Sequence, residues 1–135
     1  MKTIITARGL VLSIVLIVSC MVIFVSTKAK EALDGKTFVG ELIDNGKRAD
    51  NCTMSFKNGK FVSKECVKYG FYGGTYTTTT GAGSGIKFEI TETSKKEGTM
   101  KWQGTVTGTT IEGTCLWTKT GQKDILYTFK GTLKK

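Results

Sequence analysis

Beyond residue 30, five side chains stand out as candidates for chemistry: the thiols of Cys52, Cys66 and Cys115, and the carboxyls of Glu41 and Glu65, which alternation places on faces shared with apolar or small residues. Thiols can bridge, bind soft metals or act as nucleophiles, and a carboxyl among apolar groups can serve as an acid or anchor a ligand. The 135-residue chain contains no His, which removes Ser-His-Asp and Cys-His catalysis and every His-ligated metal site. The cysteines show no Cys-x-x-Cys spacing, so no metal site is expected. Neither Glu65 nor Glu41 has an identifiable carboxylate partner, which leaves glycosidase chemistry without support. No nucleophile can be named with a base, and no cofactor is implied. The chain is therefore expected not to be an enzyme.

The elements that must position these residues divide the chain in two. Lys2 and Arg8 precede an apolar run from Leu10 to Val25, after which Ser26-Thr27-Lys28-Ala29-Lys30 is abruptly polar. Residues 1–29 read as a signal peptide or a membrane anchor, the run being short for a span and long for a leader. Thr27-Lys28-Ala29 offers a cleavage site after Ala29, Ile17-Val18-Ser19-Cys20 resembles a lipobox that would lipidate Cys20, and an uncleaved anchor is the third alternative. Each most simply places residues 35–135 outside the cytoplasmic membrane, periplasmic, at the cell surface or extracellular, with residues 30–135 as the β-barrel domain.

From residue 34 the chain holds 16 of the 17 Gly and a run of Thr-rich alternation with no helical stripe, which indicates an all-β domain. Eight strands are expected: Thr37–Ile43, Cys52–Lys57, Lys60–Cys66, Thr75–Thr80, Ile86–Thr91, Thr99–Thr107, Thr110–Thr118 and Ile125–Leu133. Asn58-Gly59 is a strong two-residue hairpin signal, and Gly108-Thr109 fits a II′ turn. The latter pairs Val106 with Ile111, Gly104 with Gly113 and Trp102 with Cys115, which puts every apolar side chain of that hairpin except Leu116 on one face. Gly104 opposite Gly113 leaves a gap for something bulky, with a core side chain preferred over a ligand. An up-and-down meander whose first and last strands pair into a small antiparallel β-barrel accounts for this pattern and hides the sheet edges.

Such a barrel resembles the calycin architecture of lipocalins, fatty-acid-binding proteins and avidins, although the Gly-x-Trp opening of lipocalins is missing. Cys66-Val67-Lys68-Tyr69-Gly70-Phe71, Trp102-Gln103-Gly104-Thr105-Val106 and Phe129-Lys130-Gly131-Thr132-Leu133 resemble a group of small exported bacterial proteins. Their barrels begin with Leu-x-Gly-Lys-x-Phe, here Leu33–Phe38. The resemblance implies the fold and an exported setting, and brings no activity with it.

On this barrel, Cys52, Cys66 and Cys115 fall toward one end. Cleavage of the leader would leave an odd number of cysteines, one bridge plus one free thiol. Cys52–Cys66 is the preferred disulfide because their strands are neighbours, although the plain Asn-Gly register, with Phe56 opposite Phe61, sends them to opposite faces unless Gly59 is bulged. Cys52–Cys115 is the alternative. Trp102, Trp117, Met100, Phe88 and Cys115 form the expected inner wall. Tyr69, Phe71 and Tyr76 stand at the mouth with Tyr72 nearby, as a lid or a plug, the plug being preferred. Glu65 is the candidate polar anchor, or else a solvated rim residue.

The formal charge is +9 for the chain and +6 from Lys30 onward. Lysines gather at 57, 60, 64 and 68, at 95–96, at 119 and 123, and at 134–135. Such a surface suits an anionic envelope component or simple solvation, and nucleic acid is not expected. The functional expectation is a monomer that binds a small apolar or amphiphilic ligand. The alternative is a filled barrel that acts through its basic surface as an interaction or inhibitor protein.

Overall fold

The structure, a computed structural model, describes residues 29–30, 32–80, 83 and 85–135. The apolar run, Cys20 and the fate of the leader concern residues 1–28, outside the described residues. Nine strands run β1 Thr37–Asp44, β2 Lys47–Lys57, β3 Lys60–Ser63, β4 Gly74–Thr75, β5 Thr77–Thr80, β6 Ile86–Ser94, β7 Gly98–Thr107, β8 Thr110–Thr118 and β9 Ile125–Leu133, with a 3-10 helix at Lys64–Tyr69. They form one antiparallel sheet in the order β4-β3-β2-β1-β9-β8-β7-β6-β5.

That order is a meander curled into a nearly closed barrel. β1 pairs with β9 from Phe38 opposite Leu133 to Asp44 opposite Tyr127. On the other side, the expected fourth strand splits at Tyr76: β4 bonds to β3, and β5 bonds to β6. A single extended segment thus hands over from one neighbour to the other, which makes nine strands out of the expected eight. Two other departures follow from turn chemistry. Asn45 and Gly46 both have positive φ, making a second Asn-Gly hairpin that starts β2 at Lys47 rather than Cys52. β3 stops at Ser63, because the chain coils into the 3-10 helix that Gly70 terminates at φ 89.

The β7–β8 hairpin has the register that its alternation dictates, Val106 with Ile111, Gly104 with Gly113 and Trp102 with Cys115. An added Cβ at Gly104 would lie 2.6 Å from Phe88 and 2.8 Å from Phe129, so the gap in the wall is filled by two core rings. Phe38, Phe56, Phe61, Phe88, Trp102 and Phe129 pack as a continuous aromatic cluster through the lumen, with ring centroids 5.1–6.3 Å apart. Edge-on and tilted contacts of this kind add to the burial of apolar area.

One end of the barrel is sealed by the chain that enters it. A helical turn carrying Lys30 buries Leu33 completely. Tyr76, also fully buried, donates its hydroxyl to Asp34 Oδ1 at 2.6 Å and to the Lys30 carbonyl at 2.9 Å. The Gly59 N–H donates to both oxygens of Asp34, and the Lys30 ammonium lies 5.3 Å from the centre of the Tyr76 ring. The donors around Asp34, with Tyr76 foremost, hold its carboxyl below the usual range.

Candidate functional site

The other end is built differently. There the β1–β2 ladder slips at Leu42, where Asp50 and then Arg48 oppose successive residues, so that Ala49 is bulged out. The 3-10 helix folds over this end, and the turn at residues 94–98 and the starts of β7 and β9 complete the rim. Between them lies a cavity of about 330 Å³. Leu42, Phe71, Met100, Trp117 and Tyr127 give it apolar walls, Cys66 also lines it, and Asp50, Glu65 and Glu97 stand around it.

Five of the eight residues singled out from sequence meet at this cavity: Met100, Trp117, Tyr69, Phe71 and Glu65. Three do not. Trp102 and Phe88 are buried in the aromatic cluster, and Tyr76 seals the opposite end. The aromatics after β3 therefore divide rather than act together: Phe71 turns inward at 1% exposure, whereas Tyr69 and Tyr72 stand at 50% and 77%.

Glu65 is held by β2, with Oε2 accepting from the Thr53 N–H at 2.7 Å and Oε1 from the Thr53 hydroxyl at 2.8 Å. Both oxygens are engaged in fastening the 3-10 helix to the barrel, which makes it a rim staple. Glu41 faces outward beside exposed Val39 and pairs with Arg48 and Lys130 at 3.6 and 3.4 Å. The inward face of β1 is instead that of Phe38 and Leu42.

Cys52 and Cys66 are not bridged, and together with Cys115 they are buried free thiols. The plain register does hold, with Phe56 opposite Phe61, and no bulge forms at Gly59. Cys66 nevertheless turns inward because it sits on the helix rather than on a strand. Ser63 stands between the two thiols, its hydroxyl 4.0 Å from Cys52 Sγ and within reach of Cys66. Burial pushes Cys52 up to about 12 and Cys66 to about 11, and raises Cys115 as well, which keeps all three protonated and poorly nucleophilic.

The acidic group that the sequence reading missed is Glu92. The inward alternation Ile86, Phe88, Ile90 continues for two more inward positions past Thr91, so Glu92 and Ser94 also point into the barrel, at 1% and 5% exposure. The Trp102 indole donates to Glu92 Oε2 at 3.2 Å, and Oε1 has no partner among the described residues. Desolvation raises the Glu92 carboxyl to about 7 despite the lowering effect of that hydrogen bond. Met100, its cross-strand partner, and Cys66, which feels its charge, both line the cavity, so Glu92 lies directly behind the cavity wall. Ser94 ties the rim together, donating to the Tyr69 carbonyl at 2.7 Å and accepting from the Glu97 N–H, while Trp117 donates to the Glu97 carbonyl at 2.6 Å.

Comparison with protein-family models, curated proteins and solved structures found no match. The all-β, nearly closed antiparallel barrel is compatible with a calycin-like fold. A larger hollow of about 720 Å³ lies on the outer surface of β5–β9, but it is open and lined largely by Thr, Lys, Glu and Gln side chains. The mouth cavity has apolar walls and a buried carboxyl behind one of them, which makes it the better candidate site.

Proposed function

We propose that the barrel binds a small apolar or amphiphilic molecule, noncovalently, in the mouth cavity. The observation that carries this reading is a pocket with apolar walls next to a buried carboxyl that has no donor for one of its oxygens among the described residues. A ligand that offers a hydroxyl or amine through a small shift of Met100 would satisfy Glu92 Oε1, and an unsatisfied buried acceptor is worth about 1–3 kcal/mol to such a partner. The volume stands at the small end of ligand sites, which span roughly 300–1,000 Å³. The reading needs no cofactor and no covalent step, and on the resemblance to small exported bacterial proteins it belongs to the cell envelope or the medium.

The aromatic cluster that fills the rest of the lumen favours a second reading, a structural barrel that acts through its outer surface on an envelope component or another protein. Native mass spectrometry of the full protein purified from its own host separates the two. A mass increment that leaves on denaturation is expected, and a bare polypeptide mass would favour the filled barrel. The denatured mass also reports the state of the leader and of the thiols.

A further inference from the structure

The helix and turn that close the mouth also build an exposed face beside it. Lys68, Lys95 and Lys96 are exposed and border a cleft of about 550 Å³ together with Tyr69 and Tyr72. Among the described residues that line this cleft the one acid, Glu97, is already paired with Lys119 at 3.0 Å, which leaves the cleft with a cationic excess. Lys68 lies 5.0 Å from the centre of the Tyr69 ring, and Val67 beside it is 37% exposed. Exposed tyrosines among lysines suit the headgroup layer of a bilayer, where an apolar ring and a polar hydroxyl both find their surroundings and anionic lipids attract the ammonium groups.

We propose that this face docks on a bilayer surface carrying anionic phospholipids, with Lys68, Lys95 and Lys96 on the headgroups and Tyr69 and Tyr72 entering the interfacial layer. Tyr69 and Glu97 border both the cleft and the cavity, so docking brings the cavity mouth to the lipid surface. The inference goes beyond ligand binding and does not require it, since the face is complete without an occupant in the cavity.

Amine-reactive footprinting of the full protein, with vesicles of phosphatidylcholine alone or mixed with phosphatidylglycerol, tests it. Lys68, Lys95 and Lys96 are expected to lose reactivity several-fold on the mixed vesicles only, while Lys57, Lys134 and Lys135 near the sealed end keep theirs. Because the readout is local, it does not depend on how the leader behaves. In co-sedimentation, Lys95→Glu with Lys96→Glu is expected to weaken partitioning to the mixed vesicles by at least about tenfold. Lys134→Glu with Lys135→Glu changes net charge equally and is expected to change partitioning little. Protection spread evenly over all lysines, no protection, or equal loss in the two double variants would overturn the proposal. Ligand-free protein that still docks would separate this outcome from the fate of the cavity reading.

Discussion

At the sealed end Asp34 is exposed and accepts from the Tyr76 hydroxyl and the Gly59 N–H, and its carboxyl is held below the ordinary range. At the mouth Glu92 is buried, accepts among the described residues from the Trp102 indole alone, and is raised to about 7. The first carboxylate fastens the entering chain to a hairpin and to a core tyrosine, and every polar atom named there has a partner. The second has an oxygen with no partner among the described residues, behind the wall of the mouth cavity. Burial of a carboxyl costs stability unless donors compensate it, so the mouth carries a cost that the sealed end avoids. The difference gives one end of the barrel a stabilising role and is the ground on which we propose binding at the other.

Breaking the sealed end has the largest expected effect. Tyr76→Ala removes a fully buried ring 5.0 Å from Phe56 together with both hydroxyl hydrogen bonds, and is expected to cost about 3–5 kcal/mol in urea unfolding. A loss below about 1 kcal/mol would mean that Tyr76 does not seal this end.

Glu92→Gln sharpens the contrast. The folded carboxyl titrates at about 7 against an ordinary 4.5, so between those values the folded state holds a proton that the unfolded chain has released. Stability therefore falls as pH rises through that window, by up to about 3 kcal/mol in total, and levels off above it. The glutamine variant loses this slope and at about pH 8 is expected to exceed the wild type by an amount of that order. Parallel pH profiles for the two proteins would contradict the buried, charge-averse environment of Glu92.

The smallest of these effects is expected from Tyr76→Phe, which keeps the ring and gives up the hydroxyl. A loss of about 1–2 kcal/mol at neutral pH, with the change in pH profile confined to the acid limb where Asp34 titrates and the Glu92 slope between about pH 5 and 7 unchanged, would show that the two carboxylates act independently.

The barrel was legible because its hairpins state their own registers. Gly108-Thr109 and Asn58-Gly59 fix which residues oppose one another, and alternation then fixes which side chains face inward. Ending the expected fifth strand at Thr91 hid Glu92: a charged residue at an inward position looks like the end of a strand when only hydrophobicity is followed. The helix at Lys64–Tyr69 was equally hidden, because Lys60-Phe61-Val62-Ser63 reads as a strand, and only the αL glycine at position 70 marks the coil that swings Cys66 inward. That one helix decides the state of the thiols, the duty of Glu65 and the exposure of Tyr69. Its packing depends on Thr53 and Ser94, which are remote in sequence. Tyr76 was misplaced for the same kind of reason, since its partners Lys30 and Asp34 lie more than forty residues away.

The most direct test of the division between the two ends is a fluorescence titration of the full protein with N-phenylnaphthylamine, a neutral apolar amine. It would compare the wild type, a variant with the mouth filled by Leu42→Trp or Ala49→Phe, and Tyr76→Phe at the sealed end. The wild type and Tyr76→Phe are expected to enhance probe emission with similar affinity, and folded mouth-filled variants are expected to lose the enhancement. No uptake by the wild type, or equal uptake by the filled variants, would contradict binding at the mouth.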